Sequence, residues 1–295
     1  MIKRIGYLGP SGTFCEEALE KYLNGKEHQF WSVGFNSISQ IFEAVNNKQI
    51  DEGIVPIENS IEGSVNLTID LLIHEYDLKI KNEILLYISQ NLMTHYGVLK
   101  KDIKTIYSHP QAFFQCRKYI YQNYPDIVFK ETSSTAEAVK LSINCKDGAV
   151  IGSKRLAEIY GLKIIAKDIQ ENKQNLTRFV VISHEDSEKT GHDKTSLIFS
   201  VKNSPGSLYK ILGEFASRNL NLTKIESRPS KKCYGEYMFV LEVEGHRKDK
   251  NVIEVLKCVR EKTSFFKLLG SYPKYKTTKG DDYNGNSDEK YCYAK

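Results

Sequence analysis

The chain has 295 residues, 40% of them hydrophobic and 27% charged, with 42 Lys and Arg against 37 Asp and Glu for a formal net charge of +5. That length and mixture suit two folded domains with ample core and exclude global disorder. The positive excess is scattered, its densest run being Ser230-Lys231-Lys232, so no basic stripe points to nucleic acid, and a mild excess of this kind attracts an anionic metabolite instead.

Met1-Ile2-Lys3-Arg4-Ile5 is followed by no long apolar run, so neither a secretory leader nor a membrane span is expected, and the expected location is cytoplasmic. Six cysteines (Cys15, Cys116, Cys145, Cys233, Cys258, Cys292) stand singly. Without a close Cys pair or a Cys/His cluster of zinc spacing, they read as reduced thiols, small buried hydrophobes, and no metal is expected.

In chain order, Ile5 to Leu8 is a short apolar strand, Gly9-Pro10-Ser11-Gly12-Thr13 a tight loop, and Phe14 to Leu23 an amphipathic helix. The loop has neither a Walker lysine nor a Gly-x-Gly-x-x-Gly fingerprint, which argues against a nucleotide. Ser11 or Thr13 serves either as a plain N-cap or as part of a site. Ser37 to Val45 is a second helix, with Ile38, Ile41, Phe42 and Val45 on one face. It leads into Gly53 to Leu72, where an apolar strand end (Ile54, Val55) stops at Pro56 and a turn gathers Glu58, Asn59, Ser60 and Ser64 before a helix. Short hydroxyls and amides beside the free N–H groups of a helix start suit a small carboxylate.

Lys79 to Gln90 is extended and opens a second α/β block. Ile106-Tyr107-Ser108-His109-Pro110-Gln111 makes another strand end and polar corner, followed by a helix through Tyr121 on which Gln111 and Gln115 share a face. Ile127 to Phe129 is a strand, and Ser134 with Glu137 fits a capping box, which offers an explanation of the serines there that needs no ligand. Ala149 to Gly152 is a buried strand, Ser153 starts a helix that Gly161 ends, and Ile164 and Ile165 form one more strand. Asn175 to Ile182 closes the block, with Thr177 and Phe179 pointing one way and Arg178 the other. Repeated βα units predict a largely parallel sheet with its site at the carboxyl edge.

His184 to Lys194 is a charged connector, after which the pattern becomes strand (Ser196 to Val201), helix (Ser207 to Arg218), two strands (Leu222 to Ser227, Tyr237 to Val243), helix (Val252 to Val259) and strand (Phe266 to Leu269). That βαββαβ order is ferredoxin-like. From Thr277 the chain turns polar, as expected of a disordered tail.

The stretches Tyr7-Leu8-Gly9-Pro10-Ser11-Gly12-Thr13, Val55-Pro56-Ile57-Glu58-Asn59-Ser60, Ser108-His109-Pro110-Gln111, Ser133-Ser134-Thr135 and Thr177-Arg178-Phe179, followed by Asn203-Ser204-Pro205-Gly206 and Glu226-Ser227-Arg228-Pro229, occur in the order found in the prephenate dehydratase family, which this chain resembles, with an ACT regulatory domain behind it. The resemblance implies an α/β, two-lobed, periplasmic-binding-protein-like (type 2) catalytic domain over 1–184, with lobe 1 about 1–77 plus 177–184 and lobe 2 about 78–176. A linker would follow over 185–194, then a ferredoxin-like α+β ACT domain over 195–274 and a tail over 275–295. It implies decarboxylative dehydration of prephenate to phenylpyruvate without a cofactor, feedback by L-phenylalanine, and a homodimer or homotetramer. Catalytic candidates are Thr177, Asn59, Ser108, Gln115 and Glu58, with Ser11, Thr13, Ser60, Ser64, Ser133, Ser134, Thr135 and Arg178 as further lining of the substrate site. The proton donor is Thr177 on the resemblance, or Glu58 on intrinsic acidity. Arg178 either clamps the substrate's side-chain carboxylate or packs away from it. The resemblance places the amino acid at a subunit interface, where Asn203, Pro205, Gly206, Ser207 and Leu208 would receive it opposite Glu226, Ser227 and Arg228, unless the ACT domain serves dimerisation only. Ser207 stands where the family commonly has alanine and Leu241 where aspartate is frequent. Arogenate dehydratase and a non-catalytic amino-acid sensor are the alternatives.

Overall fold

The structure, a computed structural model, describes residues 2–231 and 236–276; the expected tail from Thr277, and Cys233 and Cys292, lie outside them. The chain begins with β1 (Lys3–Leu8), α1 (Phe14–Leu23), β2 (Phe30–Phe35), α2 (Ile38–Asn46), β3 (Glu52–Asn59), the two-residue β4 (Gly63–Ser64) and the short α3 (Asn66–Asp70), then β5 (Lys79–Tyr87). A second block follows: β6 (Asn91–Thr94), β7 (Thr105–Ser108), α4 (Pro110–Asn123), β8 (Val128–Glu131), α5 (Thr135–Ser142), β9 (Gly148–Gly152), α6 (Lys154–Tyr160) and β10 (Lys163–Ala166). β11 (Leu176–Ser183) returns to the first block. The last part holds β12 (Asp193–Ser200), α7 (Ser207–Ala216), β13 (Leu222–Pro229), β14 (Tyr237–Glu244), α8 (Lys250–Lys262) and β15 (Phe265–Pro273).

Each block closes its own sheet. The first runs β2-β1-β3-β11-β5 and the second β10-β6-β9-β7-β8. Each is largely parallel, as expected, with one main strand reversed: β1, β2, β3 and β5 run one way with β11 against them between β3 and β5, and β7, β8, β9 and β10 run one way with β6 against them between β9 and β10. The reversed strand of each sheet is the one that follows a crossing of the chain between the blocks. This exchange of strands is the two-lobed, periplasmic-binding-protein-like arrangement. β5 belongs to the first sheet, so the crossing comes at Ile88–Asn91 rather than at residue 78. There Ile88 N–H donates to Asn175 O and Ile169 N–H to Gln90 O, both at 2.8 Å, which ties the two crossing segments together.

Pro56 does not end its strand. β3 continues to Asn59 because the ladder with β11 shifts register between Arg178 opposite Glu58 and Phe179 opposite Pro56. A bulge is where a strand tolerates a residue with no N–H to donate. The alternation read from the sequence holds along β11: Phe179 and Val181 join the core beneath α1, while Val180 and Ile182 join the core beneath α2.

The third sheet runs β13-β14-β12-β15, the ferredoxin-like order, with α7 and α8 on one face. Its other face closes over the α2 side of the first sheet, so Ile198, Met238, Val240, Leu269 and Tyr272 share one core with Ile41, Phe42 and Leu72. At Gly270 (φ +135°) a side-chain Cβ would stand 2.5 Å from Ile80 O, so only glycine lets β15 approach the β5 backbone this closely. The connecting residues are packed as well: His184 bonds Val45 O, and Asp186 pairs with Arg247.

Candidate active site

The loops that leave the carboxyl ends of β1, β3, β7, β8 and β9 open toward the gap between the two lobes. Two contacts show the lobes facing across it. Ser153 Oγ donates to Gly12 O at 3.1 Å on one side, and Gln115 reaches from α4 to Asn175 on the other, with Asn175 Nδ2 donating to Gln115 Oε1 at 3.0 Å.

The sequence folds locally to place each group. Pro110 occupies the first turn of α4, and His109 Nδ1 accepts from Gln111 N–H, so His109 serves as the cap of that helix. Helical spacing then puts Gln115 on the turn facing the gap. Asn175 and Thr177, two apart on β11, share a face. Asn59 sits opposite Thr177 in the ladder. Its Nδ2 donates to Asn175 Oδ1 and to Thr177 Oγ1, each at 2.8 Å, while its Oδ1 accepts from the N–H groups of Ile61 and Glu62. Gln115 Nε2 donates in turn to Glu62 Oε1 at 3.2 Å. A hydrogen-bonded chain therefore runs Glu62, Gln115, Asn175, Asn59, Thr177.

The proton count along that chain assigns what each group can still do. Both Asn59 donors are spent, so Asn59 orients Thr177 rather than gripping a ligand. Thr177 Oγ1 accepts from Asn59, which leaves its own O–H to donate, and donation to the oxygen polarises that O–H. Gln115 keeps one N–H for an anion, while the fully buried Asn175 links it to Asn59.

Other expected site residues take structural places. Thr13 caps α1, accepting from Glu16 N–H and donating to Leu8 O. Ser11 bonds the Tyr7 hydroxyl, and Gly12 N–H is held by Glu16 at 2.6 Å. Ser60 donates to Gln174 O and accepts from Leu176 N–H, stitching β3 to the returning chain. Ser108 is fully buried and donates to His109 O. Ser134 caps α5, and Glu137 holds Ser133 through both its N–H and its hydroxyl, which holds the Glu137 carboxyl below its ordinary range; Thr135 is the first residue of that helix. The helix-start reading of Gly53 to Leu72 is corrected here, because Glu58 and Asn59 lie on a strand and α3 begins only at Asn66.

Glu58 and Ser64, expected at the site, turn away from the gap, and Arg178 takes the second of its two expected placements. Glu58, one residue from Asn59, faces away from the gap and bonds Arg178 and Lys224, which fits a brace and not a proton donor. Arg178 packs away from the gap against Glu58, Glu83 and Glu242. Ser64 donates to Glu226 on β13 at 2.5 Å. In the third domain, Glu226 and Arg228 point at the first lobe of the same chain, with Arg228 bonding Asp70 and Asn66. Ser227, one residue away, takes the opposite, exposed face. Gly206 adopts φ +77° as the cap of α7, and Ser204 and Ser207 bond each other at 2.7 Å. Pro205 and Leu208 flank that turn. A cavity of about 840 Å³ beside it is lined by Val201, Lys202, Ser207, Lys210, Glu214 and Lys262 among others.

Asn175, Glu62 and Ser153 belong to the gap and were missed. The i, i+2 spacing from Thr177 signalled Asn175; nothing local signalled Glu62 or Ser153. The described cysteines Cys15, Cys116, Cys145 and Cys258 are free thiols, and burial pushes the Cys15 thiol up to about 12.

The chain matches the family model described as prephenate dehydratase over residues 5–187 and that of the ACT domain over 195–259. It is 45% identical to a "Prephenate dehydratase" of Methanocaldococcus jannaschii over 278 residues, covering 92% of this chain and 99% of the relative. It is 36% identical to "Arogenate dehydratase/prephenate dehydratase 2, chloroplastic" of Arabidopsis thaliana, over 92% of this chain and 72% of that one. A prephenate dehydratase of Arthrobacter aurescens, solved in complex with L-Phe, superposes with a TM-score of 0.83 at 34% identity, covering 92% of this chain and 90% of the other. With the family match spanning most of the chain and the ACT fold closing over its first lobe, this protein belongs to the prephenate dehydratase family.

Proposed function

We propose that the protein is a phenylalanine-regulated prephenate dehydratase of the cytoplasm, assembled as a homodimer or homotetramer. The observation that carries the catalytic assignment is the Thr177 hydroxyl oxygen, which accepts from Asn59 Nδ2 at 2.8 Å and so leaves the hydroxyl proton to be donated. In the reaction the bond from the ring to its carboxylate breaks, its electron pair enters the ring, and the hydroxyl across the ring departs. Prephenate dianion and one proton become phenylpyruvate, carbon dioxide and water. Thr177 supplies the proton at the departing oxygen and regains one from solvent.

Gln115 offers a neutral donor to a carboxylate, and the loops at Ser11 and Ser133 to Thr135 form the surrounding walls. Neutral donors hold a dianion without the tight ion pairing that would favour the bound carboxylate over departing carbon dioxide. The amino acid effector binds at the turn Asn203 to Leu208, where the Gly206 backbone and the adjoining cavity leave room, with Ser227 as the member of its strand facing outward.

Arogenate is the second reading, supported by the doubly named Arabidopsis relative. Comparing turnover of prephenate and arogenate by the purified chain separates the two. Thr177→Val should lower kcat on the better substrate by about 10²-fold or more, while Glu58→Gln keeps a measurable rate. The reverse pattern would assign the proton to Glu58, and binding of prephenate without phenylpyruvate would make the protein a sensor.

A further inference from the structure

Beneath the candidate site, on the opposite face of the same strands, lies a group of buried charges that the reaction does not use. The Arg178 guanidinium is 7% exposed and donates all its N–H groups to carboxylates: Nε and Nη2 to Glu58, Nη1 to Glu83, and Nη1 and Nη2 as a fork to Glu242 at 3.0 and 2.7 Å. Lys194 bridges Glu83 and Glu242, and Lys224 holds Glu58. Three cations thus balance three carboxylates drawn from β3, β5 and β11 of the first lobe and β12, β13 and β14 of the ACT sheet.

The placement matters more than the charge. Thr177 opposes Asn59 in the ladder, and the next pair is Arg178 opposing Glu58. Each gap-facing side chain is therefore one peptide from a side chain locked to the ACT domain, and the bulge follows directly, where a strand bends most readily. The segment leaving Asn59 is tied to the same domain through Ser64 with Glu226 and Asp70 with Arg228. Buried ion pairs often stabilise less than apolar residues of equal volume, while breaking one is costly, so their use is to fix one arrangement over others.

We propose that Arg178 is a positioning residue that sets Thr177 and Asn59 for turnover, and that its fork to Glu242 makes this placement follow the state of the ACT sheet. The first part rests on the reading of Thr177 as proton donor.

The test uses the full chain with Glu242→Gln, the charge-conserving Glu242→Asp, Arg178→Lys, and Arg247→Gln as a control that breaks another interdomain pair, Arg247 with Asp186. Arg178→Lys should lower kcat by about tenfold or more with KM changed by less than about threefold, the split expected of a group acting through the transition state. Both Glu242 variants should shrink the ratio of KM with and without L-phenylalanine by about fivefold, and Arg247→Gln should leave kcat and that ratio unchanged. Variants of Arg178 and Glu242 that match Arg247→Gln overturn the proposal. If the parent chain forms no phenylpyruvate, the functional reading fails by itself, and amide hydrogen exchange decides the rest: residues 57–60 and 175–178 should exchange about tenfold faster in the Glu242 variants than in Arg247→Gln. Equal exchange sinks it.

Discussion

At the scale of single residues, the arrangement turns on which donors are already spent. Asn59 gives both amide protons to neighbours, so its removal frees Thr177 to rotate without taking a contact from the ligand. Asn59→Ala is therefore expected to lower kcat by roughly 10²-fold and to leave KM nearly unchanged. Gln115→Ala, which removes a free N–H at the wall, should raise KM instead. Steady-state kinetics on the two variants distinguish these roles. The residue types were legible in the sequence, and their orientations only in part. Strand alternation separated Arg178 from Thr177, and the same rule applied to Glu58 and Asn59 places Glu58 with Arg178. What the sequence did not carry were the partners, because Glu242 lies 64 residues from Arg178 and Glu226 lies 162 from Ser64.

At the scale of elements, short-range signals found most helices through their caps: Thr13, Ser37, Ser134 and Ser153 each accept from a backbone N–H two or three residues into the helix. They did not find β2, a half-exposed edge strand with Trp31 in solvent, or β6, whose ends are polar Asn91 and Thr94. Neither offers clean alternation. The strand contact at Gly270 was equally invisible, since nothing near it in sequence predicts the β5 backbone. Gly270→Ala forces a Cβ against Ile80 O and should destabilise the chain by about 2 kcal/mol, read as a fall in Tm on the order of 5 °C. A Tm within error of the parent would contradict the close approach.

At the scale of the whole molecule, the charge cluster makes domain docking sensitive to acid. Burial by itself pushes the Glu242 carboxyl up, but the Arg178 and Lys194 charges outweigh it and hold the group at about 2, below its ordinary 4.5. A depressed carboxyl contributes its stability in full above pH 4.5 and loses it as the pH falls through the range from 4.5 to about 2. Thermal unfolding should thus show the parent chain ahead of Glu242→Gln at pH 7, with the gap closing below pH 4.5. A gap that stays constant with pH would mean that Glu242 is not ionised against Arg178.

The ACT sheet lies against the very strands that carry Asn59 and Thr177, so one body is expected both to convert prephenate and to yield to phenylalanine. The most direct measurement is phenylpyruvate formation by the purified full chain at prephenate below KM, with and without L-phenylalanine. Steady formation is expected without the amino acid, and a fall of about tenfold with it. Bound prephenate with no phenylpyruvate, or a rate indifferent to saturating phenylalanine, would contradict that pairing of roles.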